Sequence, residues 1–125
     1  MIQQNWPKVA VFGAGAIGCY FGGMLARAGR DVTLIGRRGH VEAINAQGLH
    51  FKSMDFEQLI RVRASVDPAA VGNAQLVLFC VKSSDTETAA ASIAPHLAPD
   101  TVLLSLQNGV DNIERIRAQL RNEAL

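Results

Sequence analysis

The chain has 125 residues, of which 49% are hydrophobic and 18% are charged, with a formal net charge of +1. This is the composition of one soluble globular domain, and it excludes a long disordered chain and a protein whose overall charge would attract nucleic acid. The apolar runs are too short to cross a membrane, and no signal-peptide pattern precedes them, so we expect a cytoplasmic protein.

The first half of the chain predicts two strand–helix pairs and a small β insertion. The predicted strands are 8–12 and 31–35, and the helices after them are 17–28 and 40–47. One face of the first helix carries Ile17, Phe21, Leu25 and Ala28. Alternating apolar and polar residues in 49–52 and 59–63 then predict two short strands that form a hairpin.

The second half predicts two more strand–helix pairs after a turn at 67–73. The strands are 76–81 and 101–106, and the helices run from a capping box at 84–87 towards Ala94 and from Asn112 to about Asn122. Asp111 is the predicted N-cap of the last helix. Its predicted inward side chains are Ile113, Ile116 and Leu120.

The order of these elements predicts the α/β class: a Rossmann-like, doubly wound parallel sheet with a small β insertion. We expect about four strands in the main sheet, whereas such folds usually have six. The sheet is therefore expected to be incomplete. Its apolar edge at Leu103 and Leu104 is expected to be covered by a larger parent protein or by self-association.

The two cysteines predict no reactive site. Cys19 falls in a predicted helix and Cys80 in a predicted buried strand. Small apolar packing in a reducing compartment is favoured over a redox or metal role. His40, His50 and His96 lie far from one another and from the cysteines in sequence, so no metal-ligand spacing is present.

A glycine loop between the first strand and the first helix is the main candidate binding site. Its residues are Gly13, Ala14, Gly15, Ala16, Ile17 and Gly18, which fit G-x-G-x-x-G. The first glycine permits a tight turn, the second admits a pyrophosphate to the backbone, and the third allows the helix to pack against the sheet. The alternative is a glycine-rich turn that packs against a neighbouring element. The strand before the loop and the helix after it favour dinucleotide binding.

Arginine follows the second strand, where many NAD-dependent enzymes carry an acid that binds the ribose 2′-hydroxyl. The sequence here is Gly36-Arg37-Arg38. A guanidinium binds a 2′-phosphate that an acid would repel, so the predicted cofactor is NADP(H). Arg37 is the better candidate because it lies nearer the strand end, and the alternative is two solvated surface arginines.

Polar residues also follow the third and fourth strands of the predicted sheet. Lys82 and Asn108 should lie on the cofactor side, because ligands of open α/β sheets bind beyond the carboxyl ends of the strands. From the residues alone, Lys82 could equally be a solvated loop lysine, and Asn108-Gly109 could equally be a turn.

Three stretches together resemble the N-terminal domain of the ketopantoate reductase (2-dehydropantoate 2-reductase) family. They are VFGAGAIGCYFGGMLARAGRDVTLIGR, VLFCVKSSDT and LLSLQNGVDNIE, and they span nearly the whole chain. The glycine loop alone is not specific. An arginine after the second strand, V-K after the third and Q-N-G after the fourth are more specific in combination.

The resemblance implies NADPH-dependent reduction of ketopantoate to pantoate, on the route to pantothenate and coenzyme A. It implies that the glycine loop holds the pyrophosphate and that Arg37 contacts the 2′-phosphate. It places Lys82 near the cofactor and Asn108 near the nicotinamide ribose and the substrate. Residues 83–85 differ from the usual continuation of this family.

In this family the catalytic lysine and a key glutamate lie in a second, helical domain. We therefore interpret 1–125 as an NADP-binding Rossmann domain, the N-terminal part of a two-domain protein, with no catalytic residue of its own and no turnover alone. The expected partners are a small keto acid and the helical domain or a second copy of the chain. The alternatives are an NADP-dependent reductase of another 2-keto or 3-hydroxy acid, and a non-catalytic nucleotide-sensing module.

Overall fold

The computed structural model describes residues 6–52 and 54–120, and its main sheet has five parallel strands. The strands in chain order are β1 (Val9–Phe12), β2 (Val32–Ile35), β3 (Leu49–Lys52), β4 (Glu57–Ile60), β5 (Arg63–Ser65), β6 (Leu76–Phe79) and β7 (Val102–Ser105). The main sheet has the order β5-β2-β1-β6-β7, and β3 and β4 form a separate antiparallel hairpin. The predicted fold class is confirmed.

Four α-helices connect the strands of the described residues. They are α1 (Ala16–Arg27), α2 (Arg38–Gln47), α3 (Thr86–Ile93) and α4 (Asn112–Gln119). Short 3-10 segments lie at Pro68–Asn73, Ser83–Asp85 and Ala94–His96. None of the helices in this part of the chain is long and apolar enough to span a membrane.

Alternate residues of each central strand enter two separate cores, one on each face of the sheet. Val11 and Leu34 pack into the core that contains Ile44 of α2 and Phe51 of the hairpin. Val77 and Phe79 pack into the other, with Ile93 of α3 and Ile116 of α4. Burial on both faces explains why β1, β2 and β6 are almost continuously apolar.

The main sheet has five strands and not the four that we predicted. The sequence pattern merged β4 with the strand after it, but the chain turns at 61–62 and Arg63–Ser65 pairs in parallel with β2. The hairpin of β3 and β4 is confirmed. At the opposite edge, β7 buries Leu103 but leaves Leu104 48% exposed.

Helix α1 packs most closely through its glycines, and of its large apolar side chains Leu25 is partly buried against the same core. Gly18, Gly22 and Gly23 are its buried residues, whereas Ile17 and Phe21 are 46% and 43% exposed. A methyl group at Gly22 would lie 2.5 Å from a methyl of Leu34. The close approach of helix and sheet therefore requires the small residues.

The starts of α3 and α4, and one of the inward side chains predicted for α4, differ from the sequence-based predictions. The capping box at 84–87 does not form, because α3 begins at Thr86 without a side-chain cap and the Glu87 carboxylate pairs elsewhere. Asp111 is the N-cap of α4 but makes no side-chain cap hydrogen bond. Ile116 and Leu120 are buried as predicted, but Ile113 is 38% exposed. Helix α4 ends at Gln119, and Asn122 lies outside the described residues.

Candidate dinucleotide-binding site

The loop after β1 turns sharply because Gly13 has a left-handed backbone. Its φ is +104°, which favours glycine, and a Cβ atom there would lie 2.9 Å from the backbone of Cys80 and Val81. A Cβ atom at Gly18 would overlap the carbonyl oxygen of Gly13. The first and third glycines of the motif therefore have the conformational and packing roles that their spacing predicts.

The second glycine faces open space. A Cβ atom at Gly15 would have no neighbour within 4 Å, although the loop is packed on its other side. Helix α1 starts directly after Gly15, and its first intrahelical bond runs from the Cys19 N–H to the Gly15 carbonyl at 2.8 Å. The N–H groups of 16–18 therefore have no helical acceptor and can bind an anion.

A cleft of about 450 Å³ extends from this loop along the carboxyl ends of the central strands. It lies where the strand order reverses, between β1 and β6, which is where open α/β sheets bind ligands. Of the predicted site residues, those lining it are Gly13, Ala14, Gly15, Arg37 and Lys82. Ala16, Ile17 and Gly18 form the adjoining first turn of α1. The cleft therefore brings the loop and the two predicted cations together.

Arg37 and Arg38 have different surroundings. Arg37 is the N-cap of α2, lines the cleft and is exposed. Arg38 points to Glu42 one turn later, with 3.9 Å between Nη1 and the carboxylate. Within the described ranges, no ion pair or side-chain hydrogen bond engages Arg37, so its guanidinium can bind a ligand anion.

Asn108 lies outside the cleft lining but is tied to the loop that carries Lys82. Its backbone carbonyl accepts hydrogen bonds from Ser83 Oγ at 2.9 Å and from Asn112 Nδ2 at 2.7 Å. The neighbouring Gln107 donates from its amide nitrogen Nε2 to the Val81 carbonyl at 3.0 Å and to the Thr86 hydroxyl at 2.8 Å. Both polar loops are therefore held against each other beside the cleft.

The two cysteines lie beneath the glycine loop and are half-buried. Cys19 Sγ donates to the Ala14 carbonyl at 3.4 Å. Burial raises the pKa of Cys80 to about 11, with a smaller contribution from Cys19, and burial also raises the pKa of the Cys19 thiol. Thiols with raised pKa values are poor nucleophiles, which agrees with the predicted packing role.

Sequence reasoning missed two contributors to this region. His40, in the first turn of α2, lines the cleft beside Arg37. Its position three residues after Arg37, the predicted phosphate contact, was the available signal. Arg115 of α4 contacts Ser83 and Glu87, which precede it by 32 and 28 residues. A short-range sequence pattern cannot predict a contact between residues so far apart in the chain.

Comparison with known proteins identifies the family. The profile described as "Ketopantoate reductase PanE/ApbA" matches residues 9–125. A crystal structure of a PanE/ApbA family ketopantoate reductase from Ralstonia eutropha JMP134 is 55% identical, with a TM-score of 0.90, over 93% of this chain and 39% of that one. A 2-dehydropantoate 2-reductase of Pyrococcus horikoshii is 42% identical over 109 residues, 87% of this chain and 35% of the relative.

A relative with another name matches as well. A glycerol-3-phosphate dehydrogenase [NAD(P)+] of Streptomyces griseus is 44% identical over 107 residues, 83% of this chain and 32% of the relative. The chain thus spans about a third of the length of the curated relatives it matches. The proteins of this family bind a nicotinamide dinucleotide and act as oxidoreductases. The glycine loop, the cleft at the strand reversal and the match over 9–125 together show that this chain belongs to the ketopantoate reductase (PanE/ApbA) family.

Proposed function

We propose that the cleft binds NADP(H) and that the protein reduces 2-dehydropantoate to pantoate in the cytoplasm, on the route to pantothenate. The observation that carries the choice of NADP(H) is Arg37, which lines the cleft at the end of β2 with its guanidinium unpaired among the described residues. A guanidinium forms charge-assisted hydrogen bonds with a phosphate, whereas an acid at this place would repel one.

The loop residues fit the rest of a dinucleotide. The space in front of Gly15 would admit a pyrophosphate to the backbone, and the N–H groups of 16–18 would donate to its oxygens. The positive end of the α1 dipole adds to this attraction. We assign the diphosphate to Gly13, Ala14, Gly15, Ala16, Ile17 and Gly18.

Lys82 and Asn108 are proposed to bind the cofactor from two neighbouring loops. Both are exposed beside the cleft, on loops that follow β6 and β7. Lys82 would contact the cofactor, and the Asn108 side chain would bind the nicotinamide ribose and the substrate. NADPH, when bound, supplies the hydride for a ketone carbon, and these side chains orient the two reactants.

The reaction also requires a proton for the developing alkoxide. The proposed role of Lys82 is to bind and orient, and we assign the proton donor to a region that these 125 residues do not include. The length of the relatives, about three times that of this chain, supports this division. The 125 residues then supply the cofactor-binding domain.

A reductase of another small hydroxy or keto compound is the second candidate. The 44% identity to a glycerol-3-phosphate dehydrogenase favours it, because the cofactor-binding region alone does not separate the two activities. Steady-state assays of the full-length protein with ketopantoate and with dihydroxyacetone phosphate would distinguish the two reactions.

Cofactor choice can be tested by titrating the protein with NADPH and NADH and following the nicotinamide fluorescence. We expect NADPH to bind at least tenfold more tightly, a difference of about 1.4 kcal/mol. Arg37→Ala should remove most of this preference. Arg38→Ala is the matched control, since Arg38 already faces Glu42, and it should keep the preference. Equal affinities in the unmutated protein would contradict the assignment of the 2′-phosphate to Arg37.

A further inference from the structure

The loops that carry Lys82 and Asn108 share a hydrogen-bond network. The Asn108 carbonyl accepts from the Ser83 hydroxyl at 2.9 Å and from the Asn112 amide nitrogen at 2.7 Å. Ser83 directly follows Lys82, and Asn112 opens helix α4. The distance between the two loops is therefore set by Ser83 and Asn112, and neither residue is proposed to contact the cofactor.

Arg115 lies at the centre of this network. Its Nη2 donates to the Ser83 carbonyl at 2.6 Å, and its Nη1 donates to the Asn112 side-chain oxygen at 3.3 Å. Nε and Nη2 also donate to the two carboxylate oxygens of Glu87, at 2.8 and 2.7 Å. All three guanidinium nitrogens are thus in use, and the side chain is only 27% exposed.

These contacts determine how the Asn112 amide is turned. Asn112 is 3% exposed, and its oxygen faces Arg115 while its nitrogen faces the Asn108 carbonyl. A guanidinium only donates hydrogen bonds, so it selects the amide oxygen. The amide nitrogen is then left to hold the backbone of Asn108. Arg115 thereby fixes the backbone beside Lys82 directly and the backbone of Asn108 through Asn112.

We propose that Arg115 is a positioning residue that sets the separation of Lys82 and Asn108 and so the affinity for the nicotinamide half of the cofactor. The proposal rests on the function proposed above, in which Lys82 contacts the cofactor and the Asn108 side chain binds the nicotinamide ribose. Among the described residues, no hydrogen bond or ion pair joins the glycine loop or Arg37 to this network, so these groups would bind the adenosine half independently of it.

The test compares NADPH with 2′,5′-ADP, which carries the adenosine half alone, by calorimetry on the unmutated protein and on Arg115→Lys and Arg115→Gln. We expect both variants to bind NADPH about tenfold more weakly and 2′,5′-ADP as the unmutated protein does. Lysine retains the charge beside Glu87 but cannot reach Ser83, Asn112 and both carboxylate oxygens at once. Arg117→Gln, on the exposed side of α4, is the control and should bind both ligands normally.

Ser83→Ala provides a milder variant that removes one of the two hydrogen bonds to the Asn108 carbonyl. It should lower the affinity for NADPH and leave the affinity for 2′,5′-ADP unchanged. The test then does not depend on the folding of the Arg115 variants. Normal NADPH binding by Arg115→Lys, or equal losses for both ligands, would overturn the proposal. Failure of the unmutated protein to bind either ligand would overturn the proposed function itself, and this inference with it.

Discussion

Arg115 and Glu87 join helices α4 and α3 through two parallel hydrogen bonds of 2.8 and 2.7 Å. The hydrogen bonds from Arg115 are the main reason that the pKa of the Glu87 carboxyl falls from its ordinary value of 4.5 to about 2. A two-point pair of this kind holds both partners in one orientation, which a single contact between flexible side chains does not.

The pair predicts a pH-dependent contribution to stability. Because the pKa of Glu87 is lower in the folded state than in the unfolded one, its contribution is complete above about pH 4.5 and is lost as the pH falls towards about 2. Glu87→Gln should therefore lower the melting temperature at pH 7, and the deficit should shrink between pH 5 and pH 3, which thermal unfolding can measure.

Glu42→Gln is the control for this measurement. Glu42 belongs to an exposed pair with Arg38 at 3.9 Å, and such pairs contribute little to stability. We expect a small change in melting temperature at every pH. A Glu87→Gln deficit that stays constant down to pH 3 would show that Glu87 acts through packing and not through its charge.

The second and third glycines of the loop should respond differently to valine. Gly15→Val projects into the open cleft, so it should abolish NADPH binding and leave the melting temperature nearly unchanged. Gly18→Val collides with the Gly13 carbonyl and should lower both binding and stability. Fluorescence titration and thermal unfolding of both variants give the comparison. Normal NADPH binding by Gly15→Val would mean that the pyrophosphate lies elsewhere.

The buried glycines of α1 predict how much free energy of unfolding a single added methyl group would remove. At Gly22 it would lie 2.5 Å from Leu34 and 3.2 Å from Val11, and such overpacking costs about 1–3 kcal/mol. The helix propensity of alanine would recover at most about 1 kcal/mol. Gly22→Ala should therefore destabilise the protein, as urea unfolding can measure.

Gly39 of α2 is the matched position for that experiment. A methyl group there would meet nothing within 4 Å, and its φ is not in the left-handed region. Gly39→Ala should leave the stability unchanged or raise it by about 0.5 kcal/mol. If Gly22→Ala were as stable as Gly39→Ala, the distance between α1 and the sheet would not be limited by Gly22.

We proposed that these 125 residues bind the cofactor and that the proton donor lies outside them. The 125-residue chain alone should therefore not reduce ketopantoate. Without a positioned proton donor and a complete substrate pocket, most of the rate acceleration is lost. The assay follows NADPH absorbance with ketopantoate in excess. Full turnover would instead point to Lys82 as the acid, and Lys82→Gln would then abolish it.

The sequence by itself determined the strand–loop–helix unit at residues 9–27 and the alternation of strands and helices. These features depend on local properties: a glycine that tolerates a positive φ at Gly13, apolar runs that must be buried, and the positions of Arg37, Lys82 and Asn108 after strands. Each can be recognised from a few neighbouring residues, because backbone sterics and hydrophobic periodicity act over short distances.

Only the tertiary structure decided which surfaces meet. It showed that α1 packs through Gly22 while Phe21 remains exposed, and that 63–65 adds a fifth strand beside β2. It also showed that Arg115 holds Ser83, 32 residues earlier in the chain. These contacts join residues far apart in sequence, and close packing and donor geometry select them only after the sheet has brought the elements together.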